Sequence, residues 1–392
     1  MRYRALDGWR GLSALGVALF HLNALGHFSA LGFVQNSFLL VDFFFVLSGF
    51  VITRASADTL GAGRGAGPFL VRRFGRVYPL HFVMLAAFLA MECLKLWASR
   101  HGAVLNTPPF AEAKSLATLP SNLLMIQSLG FYEHPTWNFP AWSISVEFWT
   151  YVVFALVSVA TAGRTRTWFL AGLMVGSWAV VAMFSRHGQE VMADLGFFRC
   201  LSGFLAGHFV ARIADRLPRP GRFGTLVEVG ATVLAVGFVS VAGTSALGFA
   251  APLVFAAVVA VFAAEAGALS RWLSTAPLQA LGAWSFAIYM LHVFVLENLI
   301  GRVVVIAERH FGVALIGVGH DPLGGADYPL ILLGGRFEVD LLAIGYLAVV
   351  ILLAAVAHRV VEIPARTAFR RLADGRLRFG TARAAGEPRA SA

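Results

Sequence analysis

Apolar residues fill stretches of the chain almost without interruption, and short polar or basic segments separate them. These stretches lie at about 8–29, 37–53, 77–99, 141–161, 167–185, 191–211, 224–243, 248–265, 279–300 and 339–359. Runs such as "LVEVGATVLAVGFVSVAG" and "DLLAIGYLAVVILLAAVAH" do not alternate with polar residues, so they predict helices rather than the strands of a membrane barrel. A bilayer core of about 30 Å takes about 20 apolar residues per helix. The expected fold is all-α and polytopic, with ten transmembrane helices. Composition agrees, since 58% of residues are hydrophobic and only 13% charged, against about 25% charged in soluble domains.

The net charge of +10 does not read as a nucleic-acid footprint, because the arginines gather in short segments between the apolar runs. Placing both termini in the cytoplasm puts Arg2 and Arg4, Arg54, Arg64, Arg72, Arg73 and Arg76 on that side. Arg164 and Arg166, the group from Arg212 to Arg222, Arg271 and the arginine-rich tail from Arg359 fall there too. Lys95, Arg100, Lys114, Arg186, Arg302, Arg309 and Arg336 are left for the other face, an asymmetry that matches the positive-inside rule. The first run has no small-residue cleavage pattern and is not expected to be a cleaved signal peptide. Cys93 and Cys200 lie within apolar runs and offer neither a disulfide framework nor a metal-ligand spacing.

Two longer segments, about 100–140 and 301–338, are expected to face outward. The first is rich in proline, and its centre, "LPSNLLMIQSLGFY", is too short to span and predicts an interfacial or re-entrant helix. The second is a glycine-rich loop, and loops of this length are often functional. Residues 1–375 form one membrane-embedded domain in this reading, and 376–392, rich in Arg, Ala and Gly, form a tail expected to be disordered.

Ionisable residues inside apolar runs carry the candidate chemistry, because charge in hydrocarbon is costly and usually faces a partner or a cavity. Arg10 and His21 are eleven residues apart, which returns them to within about 20° of one helix face, about 16 Å apart in height. Asp7 shares that stripe and can pair with Arg10. The same arithmetic brings Asp42, Glu147, Arg199 and His292 to the level of His21 within about one turn, each on a different helix. Ser143, Glu147 and Tyr151 share one face, as do Ser285, Tyr289 and His292, and Gly203 and Gly207 continue the face of Arg199. Singly, each has a plainer reading: an interfacial anchor for Arg10, helix-joining hydrogen bonds for the histidines, a structural ion pair for Glu147 and Arg199. A shared polar layer is harder to explain that way.

Ordered motifs over nearly the whole chain carry a resemblance. "LDGWRGLSALGVALFH", "VDFFFVLSGFVIT", "RRFGRVYPLHF", "WSISVEFWTY", "FRCLSGFLAG", "SFAIYMLHV" and "RVVEIPARTAFR" resemble, in order, the signatures of the acyltransferase-3 family of membrane O-acyltransferases. That family includes acetylases of O-antigen, exopolysaccharide, peptidoglycan and Nod factor, and some macrolide acylases. Arg10 and His21 match its arginine, ten residues, histidine pattern; Arg73, Arg76 and Pro79 match its basic motif; Trp142, Ser143 and Glu147 match its tryptophan-serine-glutamate motif. Unlike the larger members, this chain shows no C-terminal esterase-like domain, so the resemblance implies a stand-alone enzyme of the bacterial inner membrane.

The resemblance implies an acyl-CoA donor, most commonly acetyl-CoA, with a glycan or glycolipid acceptor and no metal. On physical grounds Arg10, Arg73 and Arg76 are expected to hold the donor, as arginines hold phosphates by forked hydrogen bonds. His21 is then the expected general base, Glu147 its orienting or hydroxyl-positioning partner, and Arg199 the group stabilising developing oxyanion charge. Asp42, Ser143, Tyr289 and His292 are expected to contact substrate. A competing class, a transporter or flippase of a lipid-linked sugar with a midplane proton relay, uses the same residue types. The chain shows no internal repeat in its favour.

Overall fold

The computed structural model describes residues 2–60, 65–105, 107–218, 220–319 and 328–375. Each predicted apolar run holds a helix. In chain order the elements are α1 (Arg4–Phe20), the short α2 (Gly32–Gln35), α3 (Leu40–Leu60), α4 (Ala66–Arg100), the short α5 (Leu119–Leu123), α6 (Ala141–Ala160), α7 (Gly163–Phe184) and α8 (Gly196–Ile213). α9 (Gly224–Ala242), α10 (Ala251–Ala263), the short α11 (Ala268–Leu273), α12 (Ala276–Val295) and α13 (Gly301–Phe311) follow. The hairpin β1 (Ile316–Gly319) and β2 (Tyr328–Ile331), then α14 (Arg336–Ala357) and α15 (Ile363–Ala373), complete the set. Among the described residues nine helices are long and apolar enough to cross a membrane. α1, the first predicted span, is 17 residues long, or about 25 Å at 1.5 Å per residue. The protein is a multi-pass membrane protein.

Two helix pairs build the centre by close backbone approach. On α3 and α8, a side chain at Gly49 would strike the Phe204 carbonyl and one at Gly207 the Val46 carbonyl; the glycines expected to let helices near Arg199 approach do so. On α1 and α12, a side chain at Gly11 would strike Leu281 and the backbone of Gly282, and one at Gly282 the Asp7 carbonyl. Asp42 meets Arg199 where Thr53 later meets His208, and Gly11 meets Gly282 where His21 later meets His292. Both pairs therefore run parallel, as spans with an odd number of spans between them must.

Several boundaries differ from the sequence expectation. α1 stops at Phe20 instead of continuing to 29: past it the Leu22 N–H turns to the Leu19 carbonyl (3.0 Å) and the Asn23 N–H to the His21 carbonyl (3.0 Å). The Val17 carbonyl also accepts from His21 Nδ1 at 2.9 Å. The basic segment before the third span is helical rather than a loop: α4 begins at Ala66, and Arg72, Arg73 and Arg76 lie on its first turns, with Pro79 inside it. Residues 301–338 are not one loop. α12 runs through a π-turn at Leu296–Ile300 into α13, and β1 pairs antiparallel with β2, Ile316 opposite Ile331.

The stretch "LPSNLLMIQSLGFY" re-enters the bundle as expected. α5 has only five residues, and the chain beyond it is pinned by buried polar contacts. The Met125 carbonyl accepts from Ser145 Oγ (2.7 Å) and Trp149 Nε1 (2.9 Å), and the Asn122 carbonyl from His81 Nε2 (2.8 Å). Arg64, Arg219 and the tail 376–392 lie outside the described residues.

Candidate active site

The expected polar layer resolves into separate groups. Asp42, in the first turn of α3, and Arg199, in the first turn of α8, are 0% and 1% exposed. Arg199 Nη2 donates to Asp42 Oδ2 at 2.7 Å and to the Phe38 carbonyl at 3.0 Å, and Nε donates to the same carboxylate at 3.2 Å. Nη1 donates to the Val191 carbonyl at 3.2 Å, and the guanidinium lies over the Trp142 ring, 5.4 Å from its centroid. Gln189 Nε2 completes the carboxylate, donating to Asp42 Oδ1 at 2.8 Å. Arg199 is thus committed on every side, to Asp42 and not to Glu147. The pair fixes α3 against α8.

His21 and His292 form a second group. His292 Nε2 is 3.2 Å from His21 Nδ1, with the rings 4.7 Å apart. Carbonyls assign the tautomers: His292 Nδ1 donates to the Tyr289 carbonyl at 2.6 Å, so its Nε2 carries a lone pair. His21 Nδ1 donates towards the Val17 carbonyl and that lone pair. His21 Nε2 is then the unprotonated nitrogen, buried and without a hydrogen-bond partner among the described residues. The imidazole is oriented by His292 and a backbone carbonyl, the place the sequence reading gave to Glu147.

Remote segments brace this pair. Tyr346 of α14 shares its hydroxyl between the carbonyls of Ala18 (3.3 Å) and His292 (3.2 Å), and the Phe139 ring lies edge-on to His21. Past His21, Ile331 N–H donates to the Asn23 carbonyl at 2.8 Å. Asp340 accepts from the backbone N–H groups of His27 (2.9 Å) and Phe28 (3.2 Å) and from His27 Nδ1 (2.7 Å).

The third group lines a cavity of about 170 Å³ between α1, α3, α4, α6 and α12. Arg10, Arg73 and Arg76 face it together with Glu147, Ser143 and Tyr289, so the structure brings six of the predicted residues to one space. Arg10 Nη1 pairs with Asp7 at 3.3 Å, as its spacing predicted. Tyr151 donates to Glu147 Oε1 at 2.5 Å and shares its hydroxyl with Ser48 Oγ at 2.9 Å. Arg73 Nε is buried without a hydrogen-bond partner among the described residues. Tyr289 joins the groups: its ring faces the cavity and lies 5.8 Å from that of His292. With α1 and α12 parallel, it stands at a height between Arg10 and His21.

Sequence reasoning missed Gln189 on Asp42 and Ser48 beside Tyr151. It also left out the acidic and basic face of the final helix, where Glu362 bridges His358 and Arg366. Their spacing of four residues was the available signal.

Buried parallel helices around an arginine-lined cavity, with an aimed histidine above it, define a membrane-embedded enzyme. The chain belongs to the acyltransferase-3 family: the family's sequence profile, described as an acyltransferase domain, matches residues 3–358. It is similar to the acyltransferase MdmB of Streptomyces mycarofaciens, with 27% identity over 93% of this chain and 92% of that protein. The putative membrane-bound transacylase BcsY of Komagataeibacter xylinus is 25% identical over 74% of this chain and 72% of its own length. Protein 2 in the picA locus of Rhizobium radiobacter shares 41% identity over 23% of this chain and 45% of its own. No solved structure matches.

Proposed function

We propose that this membrane acyltransferase moves an acyl group, acetyl in the simplest case, from cytoplasmic acyl-CoA to a hydroxyl of a cell-surface glycan or glycolipid. The observation that carries the reading is the cavity: Arg10, Arg73 and Arg76 line it with Tyr289, whose ring lies 5.8 Å from that of His292, the partner of His21. Gathering three half-buried guanidinium groups in one space, with Glu147 the only carboxylate among the described residues that line it, favours an anionic ligand there. The arginine-bearing end faces the cytoplasm in this reading, in agreement with the positive-inside distribution, and the bacterial inner membrane is the location.

The donor's phosphates stay with the arginines while its thioester arm extends past Tyr289. His21 Nε2 takes the proton of the acceptor hydroxyl as that oxygen attacks the thioester carbonyl. The tetrahedral intermediate collapses with cleavage of the carbon–sulfur bond. The sulfur leaves with the proton from His21 Nε2 as free thiol, and the acceptor keeps the new ester. Tyr289 supplies an O–H towards the developing oxyanion, and Glu147, held by Tyr151, fixes the wall of the cavity beside Ser143. Arg199 and Asp42 position α8 and Trp142 without touching substrate.

The test uses purified protein, acetyl-labelled acetyl-CoA and envelope glycan from a strain lacking the protein. Thiol release that depends on the glycan, with label in an ester on it, is the expected result. Counterflow of a lipid-linked sugar without thiol release would replace this reading with the transporter.

A further inference from the structure

One signature, "RVVEIPARTAFR", takes no part in the acyl-transfer chemistry, yet the fold carries it to the donor cavity. α15 lies along α4, and Phe369 packs against Gly75, the residue between Arg73 and Arg76 in helical register. Upstream, a π-turn at His358–Glu362 tucks the Glu362 carboxylate inward, 2% exposed, between His358 Nδ1 (3.3 Å) and Arg366. Arg366 is within electrostatic reach of Arg76, Arg10 and Arg73. Its Nε, like that of Arg73, is buried without a hydrogen-bond partner among the described residues. Beside it Arg366, Thr367, Arg370, Arg371 and Asp374 wall a groove of about 300 Å³.

The charges here do not balance internally. Asp374 is paired with Arg72 at 3.3 Å, and Asp7 is divided between Arg2 (2.8 Å) and Arg10 (3.3 Å). Among the described residues, Glu362 is left to face Arg366, and Arg370 and Arg371 have no carboxylate partner. Guanidinium groups held at this density want an oxyanion, and their forked donors suit a phosphate ester best. Arg366 lines the groove and lies within electrostatic reach of the arginines that line the cavity, so a ligand filling both must carry anionic groups in two places. Coenzyme A does: a pyrophosphate lies within the molecule, and a separate monophosphate sits on its ribose.

We propose that the α15 groove is a second anion subsite, in which Arg366, Arg370 and Arg371 hold the ribose monophosphate of the donor. This rests on the acyl-CoA reading above. The pyrophosphate then falls to Arg73 and Arg76, and α15 sets the preference for the full nucleotide over a bare pantetheine thioester.

The experiment measures binding of coenzyme A and of 3′-dephospho-coenzyme A to the purified full chain in detergent, by calorimetry, with no turnover needed. Wild type should prefer coenzyme A by about tenfold, the value of one charge-assisted phosphate contact. In the Arg370→Ala, Arg371→Ala double variant, both positions exposed, that preference should collapse while dephospho-coenzyme A binds as before. An unchanged preference, or equal weakening of both ligands, overturns the subsite. Binding of neither ligand to wild type overturns the donor reading itself. Vesicles with and without phosphatidylglycerol distinguish the other source of phosphate. If the double variant loses only its attachment to acidic vesicles and keeps the nucleotide preference, the groove is a lipid site and the proposal fails.

Discussion

His292 Nε2 lies 3.2 Å from His21 Nδ1, and each ring has its other polar contact with a carbonyl of its own helix. This places one imidazole as the positioner of the other and leaves His21 Nε2 as the nitrogen able to accept a proton.

Replacing His21 by alanine should lower acyl transfer by at least about 100-fold, the usual share of a general base, with normal membrane insertion and unchanged donor affinity. Steady-state rates beside calorimetric donor binding measure both. Undiminished transfer would rule out His21 as the base.

His292→Gln should lower kcat less than His21→Ala and leave the donor KM in place, because only the aim of the base is lost. Its pH profile carries the sharper signal. A base must be neutral, so transfer in wild type falls as pH drops through the titration of His21, and removing a neighbouring ring should move that limb. A variant with a lower rate and an unmoved limb would assign His292 to packing alone.

Arg73→Ala should weaken donor binding by about 10- to 100-fold, the loss of a charged hydrogen bond of about 1.5–3 kcal/mol. Acceptor KM should stay within error. Equal loss of both affinities would mark Arg73 as a structural residue of α4.

The Asp42–Arg199 pair should behave as a fold-holding contact. Removing either partner leaves a charge buried and costs about 3–5 kcal/mol, so Asp42→Asn and Arg199→Met should each melt well below wild type in detergent. The double change Asp42→Leu, Arg199→Met should recover most of that loss. Stable single variants with impaired transfer would instead place the guanidinium at the reacting atoms.

Gly207→Val should push α3 from α8, since its side chain would meet the Val46 carbonyl, whereas nothing lies within 4 Å of a side chain added at Gly237. Thermal unfolding of the two variants should separate them, with Gly237→Val close to wild type.

The sequence was most readable where one number settles a question. Each apolar run holds a helix because nothing else satisfies backbone groups in hydrocarbon, and the rise per residue gave the polar side chains their height. Height does not give direction. Asp42, Arg199, His21, His292 and Glu147 share a level, but only packing decides that Arg199 turns to Asp42, His21 to His292, and Glu147 to the arginine cavity. The end of α1 was hidden for a related reason. The apolar run continues past His21, but beyond Phe20 the backbone bonds tighten to the Leu19 and His21 carbonyls, an event that hydropathy does not mark. Arg72, Arg73 and Arg76 read as a loop because charge density marks a membrane boundary, not the end of helical hydrogen bonding.

The hold that Ile331 and Asp340 keep on residues 23–28 ties the business end of the first helix to the last tenth or so of the described chain. During synthesis α1 enters the bilayer long before its restraints are made, so His21 waits through most of translation without its aim. On the proposed role of His21, catalytic competence therefore arrives last, when the final spanning helix docks.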